Sequence, residues 1–331
     1  MANAVPPELP AFLSDYLDTL TASTRSGYCI DLRLFFAFLK DHREALAGIE
    51  PSAIPFSVLP SVSAGEISSF LDSLSATKTA RGRARKLSSI RSMYRYYVRS
   101  GLLRTDPSRE VPLPKIPERE VTHLKDTRVQ ELLQKADEGD GLTRSQQYFH
   151  DKTGSRDLAI LSLLVGTGIR TRECAALNLA DVDLEHKTLR VERKTGTVLL
   201  SLDRRSIEAL TAYLPDRNRL PALPGSENAL FLSLQNRRIC VRAIEKLVRK
   251  YGELTGGSLT PRDLRATFGV NLLTSSGDPK KVAAALGHGD DHTARRNAAV
   301  IKRTLSGEKG EGVPRAFVRK KILPETDDTA P

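Results

Sequence analysis

Three stretches of this 331-residue chain bring cationic side chains to spacings suited to gripping an oxyanion. The first is Thr167-Gly-Ile-Arg170-Thr-Arg-Glu173. Arg170 follows a glycine turn, and Glu173 lies three residues on, within one helical turn, where a carboxylate orients a guanidinium. Taken alone, the same spacing also describes a surface Arg–Glu pair, which contributes little. The second is Lys194, in the turn Arg193-Lys-Thr-Gly196, where a lysine by itself is equally a solvated hairpin tip. The third is Thr260-Pro-Arg262-Asp-Leu-Arg265, followed further on by Leu286-Gly-His288. Pro261 starts a helix, and Arg262 and Arg265 stand one turn apart at its beginning. Helix starts favour anions, so the two arginines read as a phosphate claw, with a solvated basic turn as the plain alternative.

A longer basic stretch precedes these. Residues 73–105 hold nine basic side chains and no acid: Lys78, Arg81, Arg83, Arg85, Lys86, Arg91, Arg95, Arg99 and Arg104. Arg91, Arg95 and Arg99 are four apart and share one helix face. Leu87, Ile90, Tyr94, Tyr97 and Val98 form an apolar stripe beside them, in which the tyrosines read as core. A face that only confers solubility mixes signs, so the absence of acids points to phosphate contact by Lys78, Arg81, Arg83, Arg85, Lys86, Arg91, Arg95 and Arg99.

The elements that position these groups follow from hydropathy spacing. Residues 10–105 read as helices, with a polar break at Thr21–Ser26, a second helix from Tyr28, and a capping box Ser63-Ala-Gly-Glu66 opening a helix that runs to Leu74. Residues 106–122 hold four prolines and little periodicity and read as an extended linker. Beyond it, helices are expected at Val129–Ala136, Arg156–Val165, Arg170–Leu177, Ser206–Leu214, Arg238–Tyr251, Pro261–Thr274, Pro279–Leu286 and Thr293–Leu305. Thr188–Glu192 and Thr197–Leu202 alternate as the strands of a hairpin, and Ala229–Leu232 reads as a further short strand.

Composition narrows the function classes. The formal net charge is +11, from 51 Lys and Arg against 40 Asp and Glu. That balance favours a polyanionic partner. The longest nearly unbroken apolar run, Leu158–Ile169, is too short to span a bilayer. The amino terminus has neither the basic start nor the apolar core of a secretory signal. Cys29, Cys174 and Cys240 are far apart and odd in number, which argues against a disulfide framework or zinc finger and for a reducing compartment.

Taken together, the blocks resemble the tyrosine recombinase (phage integrase) family, Xer-like members included, over nearly the whole chain. Residues 10–105 resemble its helical core-binding domain, with Ala84–Leu102 matching the last helix and turn, and residues 120–300 resemble its catalytic domain. The resemblance implies a mainly α fold. A helical, SAM-like core-binding domain is expected at 1–105, a linker at 106–122, and at 123–331 an α-rich catalytic domain of the DNA breaking-rejoining type with a small antiparallel β-sheet and a C-terminal tail. It also implies double-stranded DNA as partner and no metal or nucleotide cofactor. A homo-oligomer, or a hetero-oligomer with an active recombinase on DNA, is expected. So are no membrane association and a cytoplasmic location, on the nucleoid in a prokaryote. In the family a tyrosine attacks the scissile phosphate and leaves a 3′-phosphotyrosyl link. Two arginines hold the nonbridging oxygens, a lysine on a sheet turn protonates the leaving 5′-oxygen, and histidines assist proton transfer. Arg170 matches the first arginine, Glu173 its acidic partner, Lys194 the hairpin lysine, Arg265 the second arginine and His288 the later histidine.

Two positions depart from the pattern. Arg262 stands where the family has a histidine; an arginine stays protonated and cannot act as a general base. Nine residues past His288, at the tyrosine position, is Asn297, whose amide is no nucleophile. The last tyrosine of the chain is Tyr251, 80 residues from the end, and it reads as core. Three readings follow. The first is a DNA-binding relative unable to cleave by the family route. The second is a working strand transferase with a substitute nucleophile such as Thr293 or Ser306. The third is a metal hydrolase using His288-Gly-Asp-Asp-His292, which Gly289 and the missing glutamate disfavour.

Overall fold

The computed structural model describes residues 5–116, 123–193 and 195–287. The chain divides into two units, residues 1–118 and 119–331. The fold is mainly helical with one small antiparallel sheet. Among the described residues no helix is long and apolar enough to cross a membrane.

The first unit is built from α1 (Ser14–Asp18), α2 (Ala22–His42), α3 (Ala64–Ser73) and α4 (Ala80–Arg99). The polar run at Thr21–Ser26 is not a break. Thr21 is the extended N-cap and α2 starts at Ala22, with the polar first turn anchored by an ion pair of Arg25 to Asp18 at 2.5 Å. The Ser63–Glu66 capping box forms, satisfying backbone donors at the start of α3. Glu66 also receives Arg43 at 2.7 and 2.9 Å. The inward stripe of α4, with Leu87, Ile90, Met93, Tyr94 and Tyr97, packs on Phe35, Phe36 and Phe70. Tyr94 and Tyr97 donate their hydroxyls to the Leu59 and Phe12 carbonyls, so both are core side chains.

The segment expected to open the linker packs onto this unit instead. Asp106 caps a single 3-10 turn at Pro107–Arg109, and Ser108 and Val111 are buried. Arg91 donates to the carbonyls of Ser108 and Val111 at 3.1 and 2.6 Å. The prolines set local turns here without freeing the chain, because Arg91 supplies the donors that their missing N–H groups do not. Residues 117–122 of the expected linker lie outside the described residues.

The second unit holds α5 (Asp126–Glu138), α6 (Arg144–Thr167), α7 (Thr171–Ala176), β1 (Val182–Asp183), β2 (Thr188–Arg193) and β3 (Gly196–Ser201). It continues with α8 (Arg204–Arg219), α9 (Val241–Glu253), α10 (Pro261–Ser276) and α11 (Pro279–Leu286). Helix α6 is central, with α5, α8, α9 and α10 against it. It begins twelve residues before the expected start, because the pair Thr143 and Gln146 forms a capping box and His150 and Thr153 turn inward. Its fully buried Ile160, Leu161 and Leu163 each contribute roughly 1.5–3 kcal/mol of burial. The sheet runs β1-β2-β3, all antiparallel, with Val191 opposite Val198 and Arg193 opposite Gly196. The expected strand at Ala229–Leu232 does not form. The carbonyls of Ala229 and Leu230 go to Arg217 Nε and Tyr213 Oη, leaving two isolated bridges in place of a ladder. The helix expected at Thr293–Leu305 lies outside the described residues.

Candidate phosphate-binding site

Helix α6 stops at Gly168, whose left-handed backbone (φ +60°) releases the chain toward α7. A Cβ there would run into the Phe268 ring and come 3.1 Å from Leu286, so glycine is required by space as well as by conformation. Two residues on, Arg170 is the N-cap of α7. Its backbone N–H donates to Glu173 Oε2 at 3.0 Å, and its Nη1 donates to Glu173 Oε1 at 2.7 Å. Its Nη2 reaches across to the Gly287 carbonyl at 2.9 Å. The Arg170 side chain remains 42% exposed, so an incoming ligand can meet it.

Arg265, in the second turn of α10, comes to the same place. Its two terminal nitrogens donate to the Gly168 and Leu286 carbonyls. Burial first, and then the Arg170 charge, push its guanidinium down to about 10. It is still fully protonated at neutral pH.

A third guanidinium completes the arrangement, and it was not among the candidates drawn from the sequence. Arg193, the last residue of β2, donates Nη1 to the Ala285 carbonyl at 3.1 Å and places Nε 3.3 Å from Glu173 Oε1. Its side chain is only 3% exposed. The signal was present in the period of the strand: Leu189, Val191 and Arg193 fall on one face, and the first two are core. Three successive carbonyls at the end of α11 are thus each met by an arginine: Ala285 by Arg193, Leu286 by Arg265 and Gly287 by Arg170. Helix C-termini carry unpaired carbonyls and a partial negative charge, which suits this convergence of cations.

Arg262 does not join Arg265. It is exposed, and no hydrogen bond or ion pair engages it among the described residues. The expected two-arginine claw on α10 is therefore divided between an inward Arg265 and an outward Arg262. Lys194 follows Arg193 directly and His288 follows Gly287 directly. Both, with Asn297 and the His288–His292 motif, lie outside the described residues. Among the described residues no group of three or more His, Cys, Asp and Glu side chains could hold a metal ion.

The basic helix of the first unit is only partly available to a ligand. Lys86 is buried and pairs with the fully buried Asp31 at 3.1 Å, and Arg85 pairs with the same carboxylate at 2.7 Å. Arg91 holds the backbone of residues 108 and 111, as described above. Lys86 and Arg91 are thus corrected from phosphate contacts to internal struts, because Asp31 and the two carbonyls sit on the face they share with the apolar stripe. Arg83 is half-buried, with its Nε unpartnered. Lys78, Arg81, Arg85, Arg95 and Arg99 stay exposed.

Residues 122–302 match the phage integrase family, and residues 11–101 match the phage integrase N-terminal SAM-like domain. The chain is 37% identical over 221 residues to tyrosine recombinase XerC of Pseudomonas fluorescens, covering 66% of this chain and 69% of that protein. Among solved structures it resembles the XerH site-specific recombinase bound to palindromic difH substrate in a post-cleavage complex. That match has a TM-score of 0.63 and 18% identity over 86% of this chain and 78% of the other. The Tn1549 transposon integrase in complex with transposon right end DNA gives a TM-score of 0.64 and 17% identity, over 89% and 98%. At such identities these two likenesses bear on the fold. With both of its units matched by the corresponding domains, the chain belongs to the phage integrase family of tyrosine recombinases.

Proposed function

We propose that this chain is a DNA-binding tyrosine-recombinase relative that grips a phosphodiester but does not cut it by a phosphotyrosyl route. The observation that carries this reading is the meeting of Arg170 and Arg265 at the end of α11, in a chain with Asn297 at the tyrosine position. Tyr251 is fully buried, its hydroxyl bonded to Asp157 and His150, and burial raises its pKa strongly. Tyr213, on α8, is buried and donates its hydroxyl to the Leu230 carbonyl. Tyr148 is exposed, but it lies 19 residues before the end of α6, roughly 28 Å along the helix axis at 1.5 Å per residue.

The chemistry divides accordingly. Cleaving a phosphodiester through a pentavalent transition state gathers negative charge on the nonbridging oxygens. Fixed guanidinium groups lower that barrier because they need no reorganisation. Arg170 and Arg265 are the guanidinium groups placed for this, and Lys194, as the residue after Arg193, stands at the sequence position of the family's proton donor. Arg262 adds a cation where a proton-transferring histidine would stand, and His288 follows the anchored Gly287. The attacking group is what is missing: Asn297 offers an amide whose nitrogen lone pair is delocalised. The chain then occupies a site, bridges DNA copies, or regulates an active relative, as a homo-oligomer or beside that relative. Its setting is the cytoplasm, and the nucleoid in a prokaryote. Lys78, Arg81, Arg85, Arg95 and Arg99 supply sequence-independent phosphate contacts from the first unit. The similar XerH recombinase, solved bound to difH substrate, and the Tn1549 integrase, solved in complex with transposon right end DNA, support DNA as the partner.

The test uses nicked duplexes selected for binding from a random-sequence pool. The expected result is salt-dependent binding with no denaturation-resistant covalent adduct. An adduct that survives denaturation would show a working strand transferase with a substitute nucleophile and overturn the cleavage-deficient reading. Binding that does not respond to salt would remove the phosphate reading itself.

A further inference from the structure

We propose that Arg193 is a positioning residue of this anion site, acting through Glu173 and the end of α11; the proposal rests on the reading that Arg170 and Arg265 hold a phosphate. Three guanidinium groups gather here, and the only carboxylate pairing with any of them among the described residues is Glu173. The formal sum is +2 with Arg193 (3 − 1) and +1 without it (2 − 1). Arg170 and Arg193 approach the same oxygen, Glu173 Oε1, at 2.7 and 3.3 Å. The carboxylate is therefore shared. Whatever negative charge Arg193 offsets is not available to neutralise Arg170, and the exposed guanidinium keeps its pull on an anion.

Two further observations separate this from an ordinary buried strut. Arg193 Nε and Nη2 are buried without a well-formed hydrogen bond, an arrangement that is costly unless the charge serves something else. Its guanidinium also lies under Gly287: a Cβ at that glycine would come 2.5 Å from Arg193 Nη1 and 3.1 Å from its Cζ. The carbonyl of that glycine is the one Arg170 holds. Arg193 thus places its charge directly beneath the turn against which Arg170 is oriented. Because it is the last residue of β2, it also ties the hairpin to the same point.

Binding of inorganic phosphate to the full chain provides the test, read as thermal stabilisation against chloride at matched ionic strength. Arg193→Met keeps the side-chain length and removes the charge, an exchange that buried ionic sites often tolerate. The expected loss of phosphate affinity is at least about fivefold, with Arg193→Lys, which keeps a charge beside Glu173, within about twofold of the wild type. Wild-type phosphate binding in a folded Arg193→Met protein would overturn the inference and leave the reading of Arg170 and Arg265 standing. Unchanged phosphate binding in Arg170→Ala and Arg265→Ala would overturn that reading, and the inference with it. If Arg193→Met does not fold, Arg193→Lys decides. A folded protein bound as tightly as the wild type supports the inference, and a loss of about fivefold or more overturns it, since a positive charge beside Glu173 is what the inference requires.

Discussion

Arg170 holds Glu173 twice, through its backbone N–H at 3.0 Å and its guanidinium at 2.7 Å, so one carboxylate both satisfies the backbone donor at the N-cap of α7 and aims the guanidinium of that same residue. The two roles separate by substitution. Glu173→Ala removes the cap and leaves the buried Arg193 without its carboxylate, and is expected to cost roughly 3–5 kcal/mol. Glu173→Gln keeps an acceptor for the backbone N–H and is expected to cost less. Urea unfolding of the two variants checks the order.

The basic residues of α4 fall into two classes with opposite readouts. Lys86→Met leaves Asp31 buried with only the half-exposed Arg85 for company, and is expected to destabilise by roughly 2–4 kcal/mol. Its DNA affinity, measured on the folded fraction, keeps the wild-type salt slope. Arg95→Gln and Arg99→Gln are expected to leave stability within about 0.5 kcal/mol. Each should reduce the slope of log affinity against log salt by about 0.9. A salt slope that falls for Lys86→Met but not for Arg95→Gln would reverse the assignment.

Acid should unfasten the start of α3. The Arg43 guanidinium, with the Ser63 backbone and hydroxyl, holds the Glu66 carboxyl down to about 2, against 4.5 in an open chain. A depressed carboxylate stabilises the fold above its unfolded pKa and loses that contribution as pH falls through the folded one. The loss is therefore expected between about pH 5 and pH 2, and on the order of 1 kcal/mol once the partial exposure of the pair is allowed for. Urea unfolding of the full chain from pH 6 to pH 2 should show this limb in the wild type and a flatter one in Glu66→Gln.

Gly168→Ala combines a left-handed backbone with a contact against Phe268 and Leu286. The expected cost is about 2 kcal/mol or more. Phosphate binding should weaken as well, because the Gly168 carbonyl orients Arg265. Thermal unfolding with and without phosphate separates the two effects.

Much of the site was legible because chemistry and local spacing coincide. The Ser63–Glu66 box, the hairpin, the helix starting at Pro261 and the burial of Tyr251 follow from short-range rules that the structure obeys. Helix α11 spans Pro279–Leu286, the range that its proline start and apolar spacing predict. What the residues alone do not reveal is long-range partnership. Lys86 looks like its basic neighbours until Asp31, 55 positions away, comes to lie against it. Arg262 and Arg265 share a helix turn, yet only the carbonyls of Gly168 and Leu286 distinguish the one that turns inward. Arg193 was hidden by its charge: strand period put it on the core face, but a cation there contradicts the usual rule of burial and looks like a turn residue. Ala229–Leu232 has strand composition, but its carbonyls are taken by side chains of α8.

The last carbonyls of α11 carry a consequence for how such a protein can change over time. The three arginines are moored on the consecutive backbone carbonyls of Ala285, Leu286 and Gly287. Because all three hold backbone carbonyls, exchange of the side chains at positions 285 and 286 leaves the moorings in place.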